Sequence, residues 1–455
     1  MKIGLEIHVT LNTKTKLFCA CPATTAEPNK NTCEVCLGHP GSKPFLNKEA
    51  VLKAVKLCKA MNCEIANEII FSRKNYFYPD LSKNYQITQY EEPLGKNGWL
   101  DVDGKKIRLK RIHLEEDPAS ITREDSDVLI DYNRSGMPLA EIVTEPDLSS
   151  PEQARKFMKK LLRILRYLDV FNIDGVIKAD INVSIEESGY KRVEIKNVTG
   201  FKDIELAITY EAERQKRAVS EKEEIKMETR AWNPGKGVTI SMREKESEAD
   251  YAYIYEPDIP VIPVEKDWLE QKIPELSDAK IQKFKGLGVD EDDADIIAME
   301  LELAELFERV SKQINPVLAA RWFRKELLRV LNYNKKTIKE VEMDEKHIVE
   351  LLELVDKKII TDNTAKKILE ELIVKPFSPK KYVEEKGLSQ ITSEEHLKKI
   401  CAEVVKNNEK AVKDYLSGEE KSFQFLVGQV MRATKGKANP DVTNKLLKEE
   451  IKKNI

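Results

Sequence analysis

An unbroken alternation of apolar and polar side chains near the start of the chain most constrains its fold. Residues 4–11 carry Leu, Ile, Val and Leu at every second position, with Glu6 and His8 between them. Successive side chains of a β-strand point to opposite faces, so this stretch predicts a strand with its apolar side chains in a core. Glu6 and His8 then point out together, where they can share a metal ion or a proton. A half-exposed edge strand with solvated polar residues is the alternative.

Length and composition define the class of protein. The chain has 455 residues, too many for one core, and is 41% hydrophobic and 34% charged, as is typical of globular proteins. Its apolar runs are shorter than the roughly eighteen residues of a membrane span, and charged Lys2 and Glu6 leave no apolar leader segment. We therefore expect a cytoplasmic protein outside the membrane. The net charge of -3 excludes a general attraction to nucleic acid but permits local basic patches.

The pattern changes near residue 265. Residues 1–265 mix short alternating strands with two helices, predicted at 48–61 and 151–168, the second preceded by a Ser150 cap. From residue 266 helical periodicity dominates, for example at 295–310 and 315–331, and proline and glycine at 376–387 indicate another boundary near residue 390. The sequence predicts an α+β protein with a mixed α/β domain of catalytic size at 1–265 and two small all-α domains at 266–390 and 391–455.

Four of the seven cysteines lie within eighteen residues. They form the pairs Cys19/Cys21 and Cys33/Cys36, joined by a short loop. This spacing matches a structural zinc site with four cysteine ligands, and a reducing compartment disfavours disulfides. Reduced, metal-free thiols are the alternative. A zinc knuckle at 19–36 would stabilise the fold and says little about function.

Carboxylates recur in strand-like segments of the first domain. Residues 177–196 predict a hairpin whose polar face carries Lys178, Asp180, Asn182, Glu194 and Lys196. Cross-strand neighbours lie within about 5 Å, and clustered oxygen ligands suit Mg²⁺ and hence phosphoryl transfer from a nucleotide. A ladder of surface ion pairs is the alternative. Segments 111–117 and 137–147 place further carboxylates in apolar sequence, where a cation has to compensate their charge.

The C-terminal segment is locally basic. Residues 421–455 hold eight Lys or Arg and three Asp or Glu, a net charge of 8 − 3 = +5. Arg432, Lys435 and Lys437 concentrate this charge in a glycine-containing loop between two predicted helices. Such a loop suits backbone phosphates of a nucleic acid, although a solvated basic surface explains the charge equally well.

Three signatures are missing from the sequence. No Gly-rich phosphate loop of the P-loop type is found, so any nucleotide is held in another way. Neither a nucleophile elbow nor a serine-rich amidase stretch with a paired lysine is found. We therefore expect that this chain does not generate its own nucleophile.

A series of motifs gives the chain a family resemblance. In order they are Gly-Leu-Glu-Ile-His (4–8), Arg-Lys-Asn-Tyr-Phe-Tyr-Pro-Asp (73–80), Ile-His-Leu-Glu-Glu-Asp (112–117), Asp-Tyr-Asn-Arg (131–134), Glu-Ile-Val-Thr-Glu-Pro-Asp (141–147) and Val-Glu-Ile-Lys-Asn (193–197). Together they closely resemble the B subunit of the aspartyl/glutamyl-tRNA(Asn/Gln) amidotransferase, of the archaeal type. The resemblance continues through Ser-Met-Arg (241–243) and Glu-Pro-Asp (256–258) to Val-Gly-Gln-Val-Met-Arg (427–432).

The resemblance implies a ligase whose reaction steps are divided between subunits. A cradle-like catalytic domain uses ATP to phosphorylate the side-chain carboxylate of Asp-tRNA(Asn) or Glu-tRNA(Gln), and ammonia then displaces phosphate to give the amide. The ammonia comes from a separate glutaminase (A) subunit through a channel, and a small C subunit holds the two together. By analogy we favour Asp-tRNA(Asn) as the substrate.

The resemblance also implies residue roles. His8, Glu116 and Glu141 match magnesium ligands, with Glu6 beside them, and Asp180, Asn182, Glu194 and Lys196 are candidates for a second ion or ATP. Lys74 matches a position that lines the ammonia entry, although its alternative role is a partner for Asp80 or another carboxylate. The four cysteines match the zinc knuckle of some members, and Arg432, Lys435 and Lys437 match a tail that contacts tRNA.

Two other functions stay open from the sequence. A non-catalytic, zinc-stabilised tRNA-binding subunit needs only the knuckle and the basic tail. A stand-alone ligase that activates a free small-molecule carboxylate needs neither tRNA nor partner subunits.

Overall fold

The structure is a computed structural model that describes residues 1–124, 127–171, 177–244, 252–390, 394–434 and 436–453. Contacts divide the chain into two compact units, Met1–Leu276 and Ser277–Ile455. The first unit contains the sheets and the second is helical throughout its described residues. The predicted α+β class is confirmed.

The first unit is built around a nine-stranded sheet. Its strands and those of three smaller sheets are β1 (Lys2–Thr10), β2 (Glu64–Ile65), β3 (Glu68–Ile69), β4 (Ser72–Asn75), β5 (Tyr85–Thr88), β6 (Gly95–Val102), β7 (Lys105–Glu116), β8 (Ser120–Glu124), β9 (Asp127–Asp131), β10 (Pro138–Thr144), β11 (Lys178–Ser184), β12 (Val193–Thr199), β13 (Glu228–Asn233), β14 (Val238–Glu244), β15 (Ala252–Tyr255) and β16 (Ile262–Pro263). The large sheet has the order β14-β13-β12-β11-β1-β10-β7-β6-β2, and the smaller sheets are β15-β4-β5, β16-β3 and β8-β9.

The opening alternation forms the centre of the large sheet. β1 lies between β10 and β11 and is antiparallel to both, so the edge-strand alternative is wrong. Leu5, Ile7 and Val9 are at most 1% exposed, because they point into the main core of the unit. The predicted hairpin at 177–196 is confirmed as the antiparallel pair β11–β12.

The helices of the first unit are α1 (Lys48–Ala60), α2 (Pro151–Leu168), α3 (Phe201–Ser220) and the short α4 (Lys266–Leu269). The predicted α2 is confirmed at both ends: Ser150 Oγ accepts a hydrogen bond from the Gln153 amide, and Asp169 ends the helix in the left-handed conformation. The buried faces of α1, α2 and α3 belong to the same core as the apolar face of β1. These helices therefore cover one face of the sheet.

The second unit consists of the helices α5 (Ser277–Gly286), α6 (Glu291–Ile297), α7 (Leu301–Val310), α8 (Pro316–Trp322), α9 (Leu328–Tyr333), α10 (Glu345–Asp356), α11 (Asp362–Val374), α12 (Pro379–Glu385), α13 (Glu394–Asn407), α14 (Glu409–Leu416), α15 (Glu420–Ala433) and α16 (Pro440–Lys453). A π-helical turn, Phe323–Leu327, joins α8 to α9. The three segments follow one another without a break, so the helix predicted at 315–331 is confirmed. The single helix predicted at 295–310 is wrong, because α6 ends at Ile297 before α7 begins.

The unit boundary differs from the predicted one at residue 265. Trp268 in α4 is buried in the main core of the first unit, and Lys59 Nζ donates to the Gln271 carbonyl oxygen at 2.8 Å. These contacts attach residues 266–276 to the first unit. In the second unit, residues 281–383 and 397–451 form separate apolar clusters. Independent helical domains at 266–390 and 391–455 stay a prediction.

Candidate active site

The polar face of the large sheet carries a row of functional groups across four adjacent strands. Lys178 on β11 pairs with His8 on β1, which pairs with Glu141 on β10, which pairs with His113 on β7. Residues opposite each other in neighbouring strands point to the same face, so the four side chains form one line. A second row, two residues along, runs from Asp180 through Glu6 and Val143 to Arg111.

Three carboxylates and two imidazoles converge in and beside these rows. His8 Nε2 lies 3.4 Å from Glu141 Oε2 and 3.6 Å from Glu115 Oε1, and His113 Nε2 lies 3.8 Å and 3.7 Å from the Oε2 atoms of the same two residues. Ligand atoms of Glu6, His8 and Glu141 lie within 4.8 Å of one another, as do those of His113, Glu115 and Glu141. We name these five residues the carboxylate–histidine cluster.

The structure separates Glu116 from this cluster, and Glu115 takes its place. Adjacent residues of β7 point to opposite faces, and Glu116 points away from His8. Its oxygens accept from Lys83 Nζ at 2.6 and 2.8 Å and from the Ile87 amide at 2.9 Å. Glu116 is therefore a buried ion-pair partner that holds the 81–88 segment. A sequence signal for Glu115 was present, since it lies two residues after His113 on the same strand.

The cluster has an excess of negative charge. Glu141, together with burial, raises the pKa of Glu6 to about 7. Burial opposes the charge on His8, but Glu141, Glu115 and Asp180 outweigh it and raise the pKa of the imidazole to about 10. Burial also opposes the charge on Glu141, yet the neighbouring cations hold the pKa of that carboxyl well below its usual range.

Some buried atoms of the cluster and of its neighbour Arg111 make no hydrogen bond. Among the described residues, Glu141 Oε1, His113 Nδ1 and Arg111 Nε are buried and unsatisfied. A buried polar atom without a partner is costly. Unsatisfied oxygen, imidazole ligands and excess negative charge fit a divalent cation.

The β11–β12 candidates already hold a protein cation. Lys196 Nζ lies 2.6 Å from Asp180 Oδ2 and 3.7 Å from Glu194 Oε1, while the Asn197 amide donates to Asp180 Oδ1 at 2.7 Å. Asp180, Glu194 and Lys196 therefore form an ion-pair network whose two carboxylates are buried, and their role at a second ion or ATP stays a prediction. Asn182 pairs with Glu194 across the hairpin and lines a neighbouring cavity.

Lys74 faces the cluster from the small sheet. It lies on β4, in register with Tyr253 on β15 and Gln86 on β5. Burial opposes its charge, but Glu115, Tyr253, Glu141 and Glu6 raise the pKa of its ammonium above the ordinary value. Lys74 is therefore a charged group beside the carboxylates.

Two cavities meet at the cluster. The first has a volume of about 900 Å³ and the second about 690 Å³. Both are lined by Glu6, Lys74, Glu115, Glu141, Lys196 and Thr229, which form a shared wall. Arg134, Lys178 and the aromatic residues 76–78 line only the first, whereas Arg111, Arg192 and Tyr253 line only the second. Sequence reasoning assigned no site role to Arg134 or Arg111.

Arg134 and Lys178 are two cations that line the first cavity. Burial and the Arg134 guanidinium lower the pKa of Lys178. Arg134 binds Asp117, with Nη2 2.7 Å from Oδ1. The two positive charges therefore lie close enough to repel each other.

The four predicted zinc ligands come together. The sulfur atoms of Cys19, Cys21, Cys33 and Cys36 lie within 4.8 Å of one another, and all four are free thiols. Hydrogen bonds from the Cys19 thiol and the Cys33 amide, with the charge of Lys16, lower the pKa of Cys36 to about 5 despite burial. Four converging sulfurs, one held as a thiolate, fit a tetrahedral zinc ion.

The basic tail loop joins α15 to α16, as predicted. Arg432 is exposed in the last turn of α15, and Lys437 is half-buried after the turn at Gly436, which has a φ of +77°. Lys435 lies outside the described residues. The structure thus places two of the three predicted phosphate-binding residues at one helix junction.

Comparison with known proteins gives one family over nearly the whole chain. A family model described as the GatB/GatE catalytic domain matches residues 1–270, and one described as the GatB domain matches residues 305–451. Proteins named as B subunits of aspartyl/glutamyl-tRNA(Asn/Gln) amidotransferase are similar: that of Thermotoga maritima is 44% identical over 98% of both chains, and that of Brevibacillus brevis is 41% identical over 99% of this chain and 98% of its own. Within the described residues, no helix is both long and apolar enough to span a bilayer.

Proposed function

Because this chain belongs to the family of aspartyl/glutamyl-tRNA(Asn/Gln) amidotransferase B subunits, we propose that it converts Asp-tRNA(Asn) or Glu-tRNA(Gln) into the amide with ATP. The carboxylate–histidine cluster on the polar face of the sheet is the observation that supports this proposal most. A side-chain carboxylate resists ammonia, whereas its acyl phosphate does not. A carboxylate oxygen attacks the γ-phosphorus with loss of ADP, and ammonia then attacks the acyl carbon with loss of phosphate.

We infer that Glu6, His8, Glu115 and Glu141 would hold Mg²⁺. When bound there, the ion would neutralise phosphate charge and orient the reacting groups. Glu141 and Glu115 are buried and fixed on central strands, so their positions are preorganised. Lys196, bound between Asp180 and Glu194, carries positive charge on the shared wall of the two cavities, where it can contact a phosphate. These residues supply positioning and electrostatic stabilisation, which dominate phosphoryl transfer.

Lys74 is proposed to guide ammonia to the acyl phosphate. It lies on the wall between the two cavities, so ammonia arriving through one cavity passes it before reaching the other. The ammonia would come from a glutaminase (A) subunit, with a small C subunit completing the complex. A zinc ion held by the four cysteines would staple the 19–36 segment, and the tail loop at Arg432 and Lys437 would contact tRNA phosphates.

Reconstitution tests the proposal. The chain is combined with candidate A and C subunits, mischarged tRNA, ATP, Mg²⁺ and glutamine, and the aminoacyl group is analysed for amide. We expect amide formation with the wild-type chain, its loss in His8→Ala, and normal activity in the control Lys236→Met, an exposed turn lysine. Unchanged activity in His8→Ala would contradict the metal-site assignment.

The same assay separates the two other functions. A protein that only binds tRNA predicts that Glu141→Ala leaves amide formation intact, with catalysis elsewhere in the complex. A stand-alone ligase predicts ADP release with a free carboxylic acid and no tRNA. We expect neither result, because the cluster adjoins cavities large enough for both a nucleotide and an aminoacyl end.

A further inference from the structure

Two cations in the first cavity have bonding capacity that the protein does not use. Arg134 directs Nε and Nη2 to Asp117. Among the described residues, its third nitrogen, Nη1, has no hydrogen-bond acceptor, and the Lys178 ammonium has neither a hydrogen bond nor an ion pair. Asp117 and Asp180 partly offset the repulsion between the two cations. Neither carboxylate bonds the Lys178 ammonium, so an anion can still bind there.

The position of Lys178 places this unused charge beside the proposed phosphoryl-transfer centre. Lys178 is the direct cross-strand neighbour of His8, at the end of the row that contains Glu141 and His113. Lys178, Arg134 and His8 all line the same cavity of about 900 Å³. An anion held by the two cations therefore lies next to the carboxylate–histidine cluster.

Arg134 is held by the loop that joins the two cysteine pairs. The Asn29 amide donates to Asp131 Oδ1 at 2.9 Å, and the Tyr132 amide donates back to Asn29 Oδ1 at 2.7 Å. The Asn31 amide donates to Asn133 Oδ1 at 2.7 Å. These bonds fix the backbone on the N-terminal side of Arg134 and so preorganise its guanidinium.

The same cavity carries an aromatic rim. Phe77 is 90% exposed and Tyr78 44% exposed, and both line the cavity. Exposed aromatic rings provide stacking faces for nucleobases. Stacking faces beside two cations match the two parts of a nucleotide, base and phosphate.

We propose that Arg134 and Lys178 form a phosphate-binding subsite of the first cavity, with Asn29 and Asn133 as positioning residues. This inference rests on the proposed function, which supplies two sources of nucleotide phosphate: ATP and the acceptor end of the tRNA. A planar guanidinium and an ammonium together suit a tetrahedral phosphate, because each directs donors at separate oxygens.

Lys178→Met tests the subsite with little risk to folding, since no described partner loses its bond. Arg134→Lys keeps a positive charge beside Asp117 but removes the planar guanidinium and its several donors. Lys178→Arg is the conservative variant, and Lys236→Met is the matched control. KM for ATP, KM for aminoacyl-tRNA and kcat are measured in the reconstituted complex. Dissociation constants for a non-hydrolysable ATP analogue and for the tRNA are measured with the full chain.

We expect Lys178→Met and Arg134→Lys to raise KM and Kd for one of the two substrates by about tenfold or more. The loss of one charge-assisted hydrogen bond has an effect of this size. Lys178→Arg should restore most of the affinity. A larger effect on ATP identifies the nucleotide as the source of the phosphate, and a larger effect on tRNA identifies the acceptor end.

Asn133→Ala tests the positioning role. It should raise the same KM as Arg134→Lys and leave kcat nearly unchanged, whereas a general loss of stability would lower the active fraction without moving KM. Values within twofold of wild type for both substrates, in both Lys178→Met and Arg134→Lys, would overturn the subsite. If the wild-type complex forms no amide, the proposed function fails, and the Kd values still decide whether the two cations bind phosphate.

Discussion

The cysteine cluster and the carboxylate–histidine cluster were both predicted from the sequence as metal sites. Their predicted ligands differ in whether the fold brings all of them together. All four predicted cysteine ligands converge, whereas one predicted magnesium ligand, Glu116, points away. The cysteines lie within eighteen residues, so their spacing alone defines the site. The second cluster is assembled from β1, β7 and β10, and depends on which face each strand presents.

A strand-built site is sensitive to single-residue shifts because side chains alternate between faces. Within β7, Ile112 and Leu114 are buried in the core, so His113 and Glu115 share the other face. The alternation that identified Glu6 and His8 on β1 would therefore have selected Glu115 rather than Glu116. The motif resemblance selected Glu116, whereas the strand register places Glu115 on the face of His113.

The largest expected effect is the loss of catalysis in Glu141→Gln. This residue is the one member shared by both ligand triplets, and its charge cannot be replaced by water. We expect amide formation to fall by about a thousandfold, as when a preorganised electrostatic group is removed. Initial rates in the reconstituted complex measure it, with exposed Glu187→Gln as control. A decrease of less than tenfold would remove Glu141 from the site.

Glu115→Gln and Glu116→Gln should separate chemistry from folding. We expect Glu115→Gln to lower kcat by about a hundredfold at near-normal stability. Glu116→Gln breaks the buried pair with Lys83, so it should lower the free energy of unfolding by about 3 kcal/mol and leave the folded fraction active. Denaturant unfolding and single-turnover rates measure both. The reverse pattern would restore Glu116 to the site.

Removing zinc should affect stability more than chemistry. Cys33→Ser leaves an incomplete ligand set, so we expect loss of equimolar zinc and a fall in Tm of roughly 5 °C or more. Metal analysis and thermal unfolding measure these changes, with Cys63→Ser as the thiol control. Retention of zinc in Cys33→Ser would contradict the four-cysteine site.

The smallest expected effect is in the tail. Arg432→Ala should weaken tRNA binding by a few fold and reduce the slope of log affinity against log salt by about one. Binding titrations at several salt concentrations measure it, and Lys453→Ala is the control. An unchanged slope would show that Arg432 faces solvent rather than phosphate.

Other parts of the fold show the same division between local and long-range signals. The start of α2 follows from the Ser150 cap, and both ends of the helix were predicted correctly. The unit boundary was predicted at residue 265, too early in the chain. Trp268 packs in the core of the first unit through a tertiary contact that no local pattern indicates. No local sequence pattern indicates a site role for Arg134 either, because it meets Asp117 and the first cavity only in the folded chain.

Equilibrium binding of Mn²⁺, used as a spectroscopic substitute for Mg²⁺, tests whether Glu115 rather than Glu116 is a metal ligand. Zinc-loaded wild type, Glu115→Gln and Glu116→Gln are titrated under conditions in which all three are folded. We expect Glu115→Gln to lose the Mn²⁺ site and Glu116→Gln to bind Mn²⁺ with wild-type affinity. Normal binding by Glu115→Gln together with loss in Glu116→Gln would contradict it.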